Sequence, residues 1–269
     1  MSDQRLLPLS AFSASARRLV RGIFTDIDET LTTDGSLTGE AYAALAALKG
    51  AGLLVVPVTG RPAGWCDHIA RMWPVDAVVG ENGAFWMWLD RQAGKLRTRF
   101  VQPDAEREEG RRRLQAVRAA VLRDVPGAGI ASDQPYRLAD LAIDFCEDVP
   151  PLPRAAVDRI VAIFEAHGAQ AKVSSIHVNG WFGDYDKLTT TRQMMRELFG
   201  VDLDAEREHY VFSGDSPNDA PMFGYFPDAV GVANVRDFAD RMAHLPRWIT
   251  TARSGAGFAE LAQALLAAR

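Results

Sequence analysis

Two short acidic runs carry most of the chemistry in this sequence. Asp26-Ile27-Asp28-Glu29-Thr30 follows one β-rich apolar run, and Ser213-Gly214-Asp215-Ser216-Pro217-Asn218-Asp219 follows another. In a parallel α/β sheet, ligands bind beyond the carboxyl ends of the strands, so both runs face a crevice. One residue separates Asp26 from Asp28, and a tight turn brings both to one point. Neighbouring carboxylates repel one another strongly in a low-dielectric site unless a cation or a shared proton intervenes. Oxygen ligands from Asp26 and Asp215, with Asp219 beside them, suit Mg²⁺, which keeps several waters and works with substrate phosphate. Capping of the short helix near Pro217 accounts for Asp215 or Ser216, but not for the whole acidic set.

Two smaller pieces point the same way. Thr59-Gly60-Arg61-Pro62 follows a second apolar strand and opens a helix. A hydroxyl and backbone N–H groups at a helix N-terminus make a phosphate cradle, although Thr-Gly is also plain punctuation there. Lys187 opens a later helix, the end at which the dipole disfavours a cation, and an anionic ligand supplies a reason for it.

The elements that must position these residues alternate. From Leu19 onward, short β-rich runs and helical stretches take turns, as in a parallel sheet wrapped by helices. Residues 21–25 form the strand before Asp26, and the spacing predicts a helix over 38–50 with Thr38 as its N-cap. The apolar run 53–58 is a strand, and Pro57 within it suggests a strand ending at a site. A helix over 62–73 and a strand over 76–79 follow, leading into Gly80-Glu81-Asn82-Gly83. Beyond Gly83 the texture changes to a hairpin (84–89 and 96–101), a charged helix (103–123), a strand (138–145), a helix (155–167) and a strand (171–178). That succession is an α+β unit with an antiparallel sheet. In the charged helix the acids lead and the arginines trail, the order its dipole favours, so Arg111, Arg112, Arg113, Arg118 and Arg123 read as a solvated face. From Asp186 the alternation resumes, with a helix (187–199), a strand (210–213), a short helix (217–223), a strand (229–232) and a last helix (258–268).

The chain is therefore expected to be α/β, with a Rossmann-like parallel-sheet core and an inserted α+β unit. Its division is an N-terminal extension over 1–20, a discontinuous core over 21–83 and 185–269, and an insertion over 84–184. The extension, with Arg17, Arg18 and Arg21 among serines, reads as a frayed terminus. A length of 269 residues fits two domains at roughly 150 residues each. Thirty Lys and Arg against 35 Asp and Glu give a net charge of -5, which disfavours nucleic acid or an anionic membrane as the main partner. No apolar stretch approaches the ~20 residues that span a bilayer, and a cytoplasmic protein is expected. Two cysteines, Cys66 and Cys146, make neither a disulfide framework nor a metal motif, and read as buried small hydrophobes.

Asp26-x-Asp28-x-Thr30, Thr59, Lys187 and Gly214-Asp215-Ser216-Pro217-Asn218-Asp219, in that order, resemble the motifs of the haloacid dehalogenase (HAD) superfamily of phosphohydrolases. The insertion after the third strand, entered through Gly80-Glu81-Asn82-Gly83-Ala84, resembles the Cof-like subfamily IIB with its C2-type cap. That subfamily includes sucrose-phosphate, trehalose-phosphate and mannosyl-3-phosphoglycerate phosphatases as well as phosphomannomutase. The resemblance implies Asp26 as the nucleophile that forms an aspartyl-phosphate, and Asp28 as the acid and then the base, a role that requires a raised pKa. It implies Thr59, the Gly60 N–H, Lys187 and Asn218 as the phosphate-binding set. It also implies Mg²⁺ on Asp26, the Asp28 carbonyl and Asp215, with Asp219 acting through water or orienting Lys187. Glu29 departs from the many relatives with Gly at this position, and it adds negative charge beside an anionic substrate.

The leaving group would be read by Arg61, Glu81 and Asn82 on the core side and by Asp144, His177 and Asn179 on the cap side. Ser175, His177 and Asn179 alternate along one strand face, as a sugar-hydroxyl reader would, or equally as the solvent face of an antiparallel sheet. Trp86 and Trp88 share a face as well, and read as packing more readily than as a sugar platform. The expected function is a Mg²⁺-dependent phosphatase of a small phosphorylated metabolite, foremost a sugar phosphate. A phosphomutase is the alternative, followed by a catalytically silent binding protein. The chain is expected as a monomer or a homodimer, with the stretch 85–88 either cap core or a dimer surface.

Overall fold

The computed structural model describes residues 6–174 and 176–269. In chain order its strands are β1 (Leu7–Pro8), β2 (Gly22–Thr25), β3 (Thr32–Thr33), β4 (Ser36–Leu37), β5 (Leu54–Pro57), β6 (Val78–Gly80), β7 (Phe85–Asp90), β8 (Lys95–Phe100), β9 (Gly129–Ile130), β10 (Leu141–Asp144), β11 (Gln170–Val173), β12 (His177–Trp181), β13 (Tyr210–Gly214), β14 (Val230–Gly231) and β15 (Trp248–Ile249). The helices are α1 (Ala14–Leu19), α2 (Gly39–Gly50), α3 (Ala63–Met72), α4 (Asp104–Asp124), α5 (Arg154–Ala166), α6 (Lys187–Phe199), α7 (Leu203–Glu206), α8 (Ala220–Tyr225) and α9 (Ser254–Leu266).

Six strands form a parallel sheet in the order β1-β15-β14-β13-β2-β5. β2 is buried on both faces, with Ile23 in one apolar cluster and Phe24 in the other, which is why its sequence shows no polar alternation. The chain leaves β2 for β5 on one side and returns through β13 on the other. The crevice of such a sheet opens at that reversal. The Asp26 N–H donates to the Ser213 carbonyl at 2.9 Å, so the loops after β2 and β13 lie side by side. Helix α2 forms as its sequence predicts: the Thr38 hydroxyl accepts the Ala41 N–H, and Ala41, Leu45 and Leu48 are buried.

A second sheet, antiparallel in the order β11-β12-β10-β9, packs with α4 and α5 around Leu114, Val117, Ile143, Ile160 and Phe164. Gly180 permits this close packing, since a Cβ there would stand 2.1 Å from the Phe164 ring.

Three features differ from the sequence reading. First, the hairpin β7–β8 extends β6, which itself bridges the β5 side through Val58 and Val79. Phe85 and Met87 enter one core cluster and Trp86 the other, so the hairpin packs with the parallel sheet, and the expected boundary at 83/84 cuts through one sheet. Three consecutive large apolar residues suit a strand covered on both faces, and Trp86 is packing rather than a ligand platform. Second, the run 171–178 is two strands, because the chain turns between Val173 and His177, where the Ser174 N–H donates to the His177 carbonyl. Ser175 lies outside the described residues, so only His177 and Asn179 of that alternation are placed. Third, the described part of the N-terminal segment is not frayed. β1 adds an edge strand beside β15, Leu9 is buried, and Phe12 stacks on Trp248 at 5.2 Å. Among the described residues, no helix is long and apolar enough to cross a membrane.

Candidate active site

The loop after β2 turns at Glu29, whose φ of 53° is the left-handed conformation glycine would take most easily. Glu29 does not add its charge to the cleft. Its carboxylate accepts the Gly35 N–H at 3.2 Å and the Ser254 hydroxyl at 3.1 Å, bracing the β3–β4 flap and the start of α9. The turn leaves Asp26 buried and Asp28 at the cleft wall.

Lys187 is the first residue of α6, which Asp186 caps together with Thr189. Its buried ammonium donates to Asp26 Oδ1 at 2.9 Å and to Asp219 Oδ1 at 2.8 Å. Burial pulls the Lys187 pKa down, but Asp219 and Asp26 outweigh it, and the group is held above its ordinary value. Burial, together with Asp219 and Asp28, pushes Asp26 up to about 7 against the opposing pull of Lys187. Asp215 is raised as well, by burial first and then by Asp219 and Asp26. The Asp26, Asp215 and Asp219 carboxylates each offer an oxygen within 4.8 Å of the others.

The donor set fits a hard divalent cation. Asp215 Oδ1 accepts the Thr30 hydroxyl at 3.1 Å, while Asp215 Oδ2 is buried with no hydrogen-bond partner among the described residues. A buried carboxylate oxygen left bare is costly unless something positive meets it. Asp219 is differently placed: Oδ1 meets Lys187 and Oδ2 accepts the Asp215 N–H at 3.0 Å, so both of its oxygens already have protein donors.

The cleft above these acids is lined on the core side by Asp26, Asp28, Gly60, Arg61, Ser216 and Asn218. The opposite wall is Arg137, Ser174, Ile176, His177 and Asn179. Of the expected phosphate-binding set, Gly60 and Asn218 line the cleft, while Thr59 and Lys187 lie buried behind it. The Thr59 hydroxyl accepts the Arg61 N–H at 3.0 Å, and the Ser216 hydroxyl meets Asn218 Oδ1 at 2.8 Å.

The expected substrate readers divide. Arg61, His177 and Asn179 line the cleft; Glu81, Asn82 and Asp144 do not. The Glu81 carboxylate is fully buried and accepts the N–H groups of Ala63, Leu138, Ala139 and Asp140 at 2.6–3.1 Å, strapping residues 138–140 to the start of α3. Asn82, at φ 54°, donates its N–H to the Thr59 carbonyl and packs against Gly60, where a Cβ would stand 3.1 Å away. Asp144 accepts the N–H groups of Cys146, Glu147 and Asp148 and so shapes the loop after β10. Short acidic side chains near a site are drawn to bare backbone donors as readily as to a ligand.

That loop presents a residue the sequence reading missed. Glu147 reaches His177 Nε2 at 2.8 Å and the Arg61 guanidinium at 3.3 Å, and the His177 ring is the first of the causes that hold it down to about 2. Arg61 Nε also donates to Asp28 Oδ1 at 2.8 Å, and its guanidinium lies 4.4 Å over the Trp65 ring. Arg137 was missed too. It grips Asp133 and Asp140 and donates to the Gly60 carbonyl at 2.9 Å, tying the cradle loop to the cap side. The Asp133, Arg137, Asp140 spacing within a stretch of poor helix and strand pattern was the available signal.

Comparison with known proteins agrees with this geometry. Residues 23–100 match the family model described as haloacid dehalogenase-like hydrolase. No curated protein matches the sequence. Among solved structures, the chain is similar to the C-terminal domain of trehalose-6-phosphate phosphatase from C. albicans (TM-score 0.72, 11% identity, 99% of each chain). It is also similar to a Thermoplasma acidophilum protein (TM-score 0.69, 17% identity, 91% of this chain and 98% of that one). A third is the sucrose-phosphatase of Synechocystis, solved with sucrose and phosphate (TM-score 0.63, 16% identity, 91% and 98%). The family match covers the first core segment, residues 23–100, and the fold shared with these solved structures extends over nearly the whole chain.

Proposed function

We propose that this site is a Mg²⁺-dependent phosphatase that hydrolyses the phosphate ester of a small sugar through an aspartyl-phosphate. The observation that carries the reading is the pairing of Asp26 with Lys187 over bare Asp215, directly beneath a polar cleft. The two phosphatases whose folds this chain resembles act on phosphorylated disaccharides, as their names state.

Asp26 Oδ attacks phosphorus, and the bond from phosphorus to the sugar oxygen breaks as the aspartyl bond forms. The departing oxygen takes a proton from Asp28, whose Oδ1 is occupied by Arg61 and whose other oxygen is free for this task. Water then attacks phosphorus, Asp28 accepts its proton, and the aspartyl bond breaks to free phosphate and Asp26. Lys187 and the Gly60 N–H hold the phosphoryl oxygens, and Lys187 also fixes the Asp26 carboxylate. Mg²⁺, held by Asp26, Asp215 and the Asp28 carbonyl with Asp219 behind them, would neutralise charge on the transferring group. Arg61, His177 and Asn179 meet the sugar hydroxyls.

Purified protein offered phosphorylated sugars, polyols and nucleotides with Mg²⁺ tests the reading. Phosphate release in equal amount with the free sugar supports it, while an isomerised sugar phosphate without release marks a mutase instead.

A further inference from the structure

We propose that α3 and the adjoining loop 136–138 form the contact between two copies of this chain, packed antiparallel about a two-fold axis near His68. Seven large hydrophobic residues are exposed among those described, and five of them, Tyr42, Trp65, Met72, Tyr136 and Leu138, make one band. The Tyr42 hydroxyl donates to the Met72 carbonyl at 3.1 Å. Met72 lies two helical turns from Trp65 on α3. Tyr136 packs on Gly64, where a Cβ would stand 3.0 Å from its own, and the N–H groups of Leu138 and Ala63 share one Glu81 oxygen. Met72 is 65% exposed and Tyr136 59%, more than single scattered residues explain once they are contiguous. The apolar stretch 85–88 is spent inside the core, so it does not compete for this role.

The choice of a second copy as occupant comes from the charges on the same face. At about 100° per residue, Trp65 and Met72 fall along one edge of the exposed face of α3. Asp67 and Arg71 fall along the other, with Gly64 and His68 between. A two-fold axis crossing the helix near His68 brings like edges together with the chain direction reversed. Trp65 then meets Met72 of the second copy, and Asp67 meets Arg71 of the second copy, so both the apolar and the charged pairs are satisfied twice. In the single chain Arg71 and Asp67 pair, among the described residues, only with each other, at 2.7 Å and half exposed. The band continues past both ends of α3, with Tyr136 at one end and Tyr42 at the other, so the two ends face each other across the same axis. This inference is independent of the proposed reaction, though the Trp65 ring that would be covered is the one carrying Arg61.

Sedimentation equilibrium on the full chain tests it. The expected mass is that of two 29.4 kDa chains. Met72→Glu should sediment as one chain while keeping the wild-type circular dichroism, since the side chain is exposed. Asp67→Arg and Arg71→Asp should each weaken the dimer at least about tenfold, and the double variant Asp67→Arg/Arg71→Asp should restore it. His68→Cys should cross-link two copies on mild oxidation where the wild type does not. The proposal is overturned by a single-chain mass at every concentration up to about 100 µM, well above the range of a specific contact. It is equally overturned by a dimer that keeps its affinity in Met72→Glu, or by failure of the double variant to regain what the single ones lose.

Discussion

Two buried assemblies of charge meet at the cleft, and they are built on opposite rules. Beneath it, Asp26 and Asp219 share one ammonium, that of Lys187, while the neighbouring Asp215 keeps one oxygen, Oδ2, with no hydrogen-bond partner among the described residues. Beside it, at the seam between the two sheets, Glu81, Asp133 and Asp140 have donors on every carboxylate oxygen, from Arg137, Asn179 and four backbone N–H groups. A buried network whose every acceptor meets a donor rigidifies a structure, whereas one that leaves a carboxylate oxygen bare calls for a ligand. The contrast assigns chemistry to the first assembly and alignment of cap and core to the second.

The largest expected effect comes from the first assembly. Asp26→Asn should lower turnover by at least about 10³-fold with an unchanged melting profile, since the amide keeps the shape and loses the nucleophile. If the melting profile collapses as well, Asp26 also holds the fold and the two assemblies do not divide chemistry from stability. Chelation should abolish turnover and added Mg²⁺ restore it. Asp215→Asn should raise the Mg²⁺ needed for half-maximal rate by about 10–100-fold, read from titrations with the metal.

The second assembly should respond in stability. Glu81→Ala leaves four N–H groups, three of them buried, without an acceptor and should cost about 3 kcal/mol in urea unfolding. Asn179→Ala, at the point where that network reaches the cleft, should raise KM for a sugar phosphate about tenfold and leave para-nitrophenyl phosphate nearly untouched. Equal losses on both substrates would place Asn179 outside leaving-group recognition.

The smallest effect belongs to Glu147, which meets Arg61 and His177 at the cleft beside the second assembly. Its pKa is lowered from 4.5 to about 2 by the folded state. A depressed carboxylate contributes stability that is fully present above its unfolded value and is lost as pH falls through the folded one. The stability difference between wild type and Glu147→Gln should therefore be constant near neutrality and shrink between 4.5 and about 2. Glu147 is partly exposed, so the difference itself should be modest.

Much of this was legible in the sequence because chemistry leaves dense local marks. Asp26, Asp28, Thr59, Lys187 and Asp215 stand at strand ends and helix starts that apolar periodicity locates by itself. What escaped the sequence was the choice of partner. An alternating apolar run announces a strand but not the strand beside it, so the hairpin β7–β8 could be attached to either sheet. The run expected as a strand from residue 138 starts only at Leu141, because Glu81 takes the N–H groups of Leu138, Ala139 and Asp140. That acceptor lies more than fifty residues away in sequence. Asp144 and Glu147 show the same limit: both acids sit near the cleft, and only the turn geometry decides that the first shapes the loop and the second reaches Arg61.

The central claim is that phosphoryl transfer passes through Asp26. Acid-quenched single-turnover samples, digested and analysed by mass spectrometry, test it directly. The account predicts one phosphoryl group on the peptide containing Asp26, appearing before free phosphate and absent from Asp26→Asn. Phosphate release with no phosphoryl-protein at any time, or with the label on another residue, would contradict it.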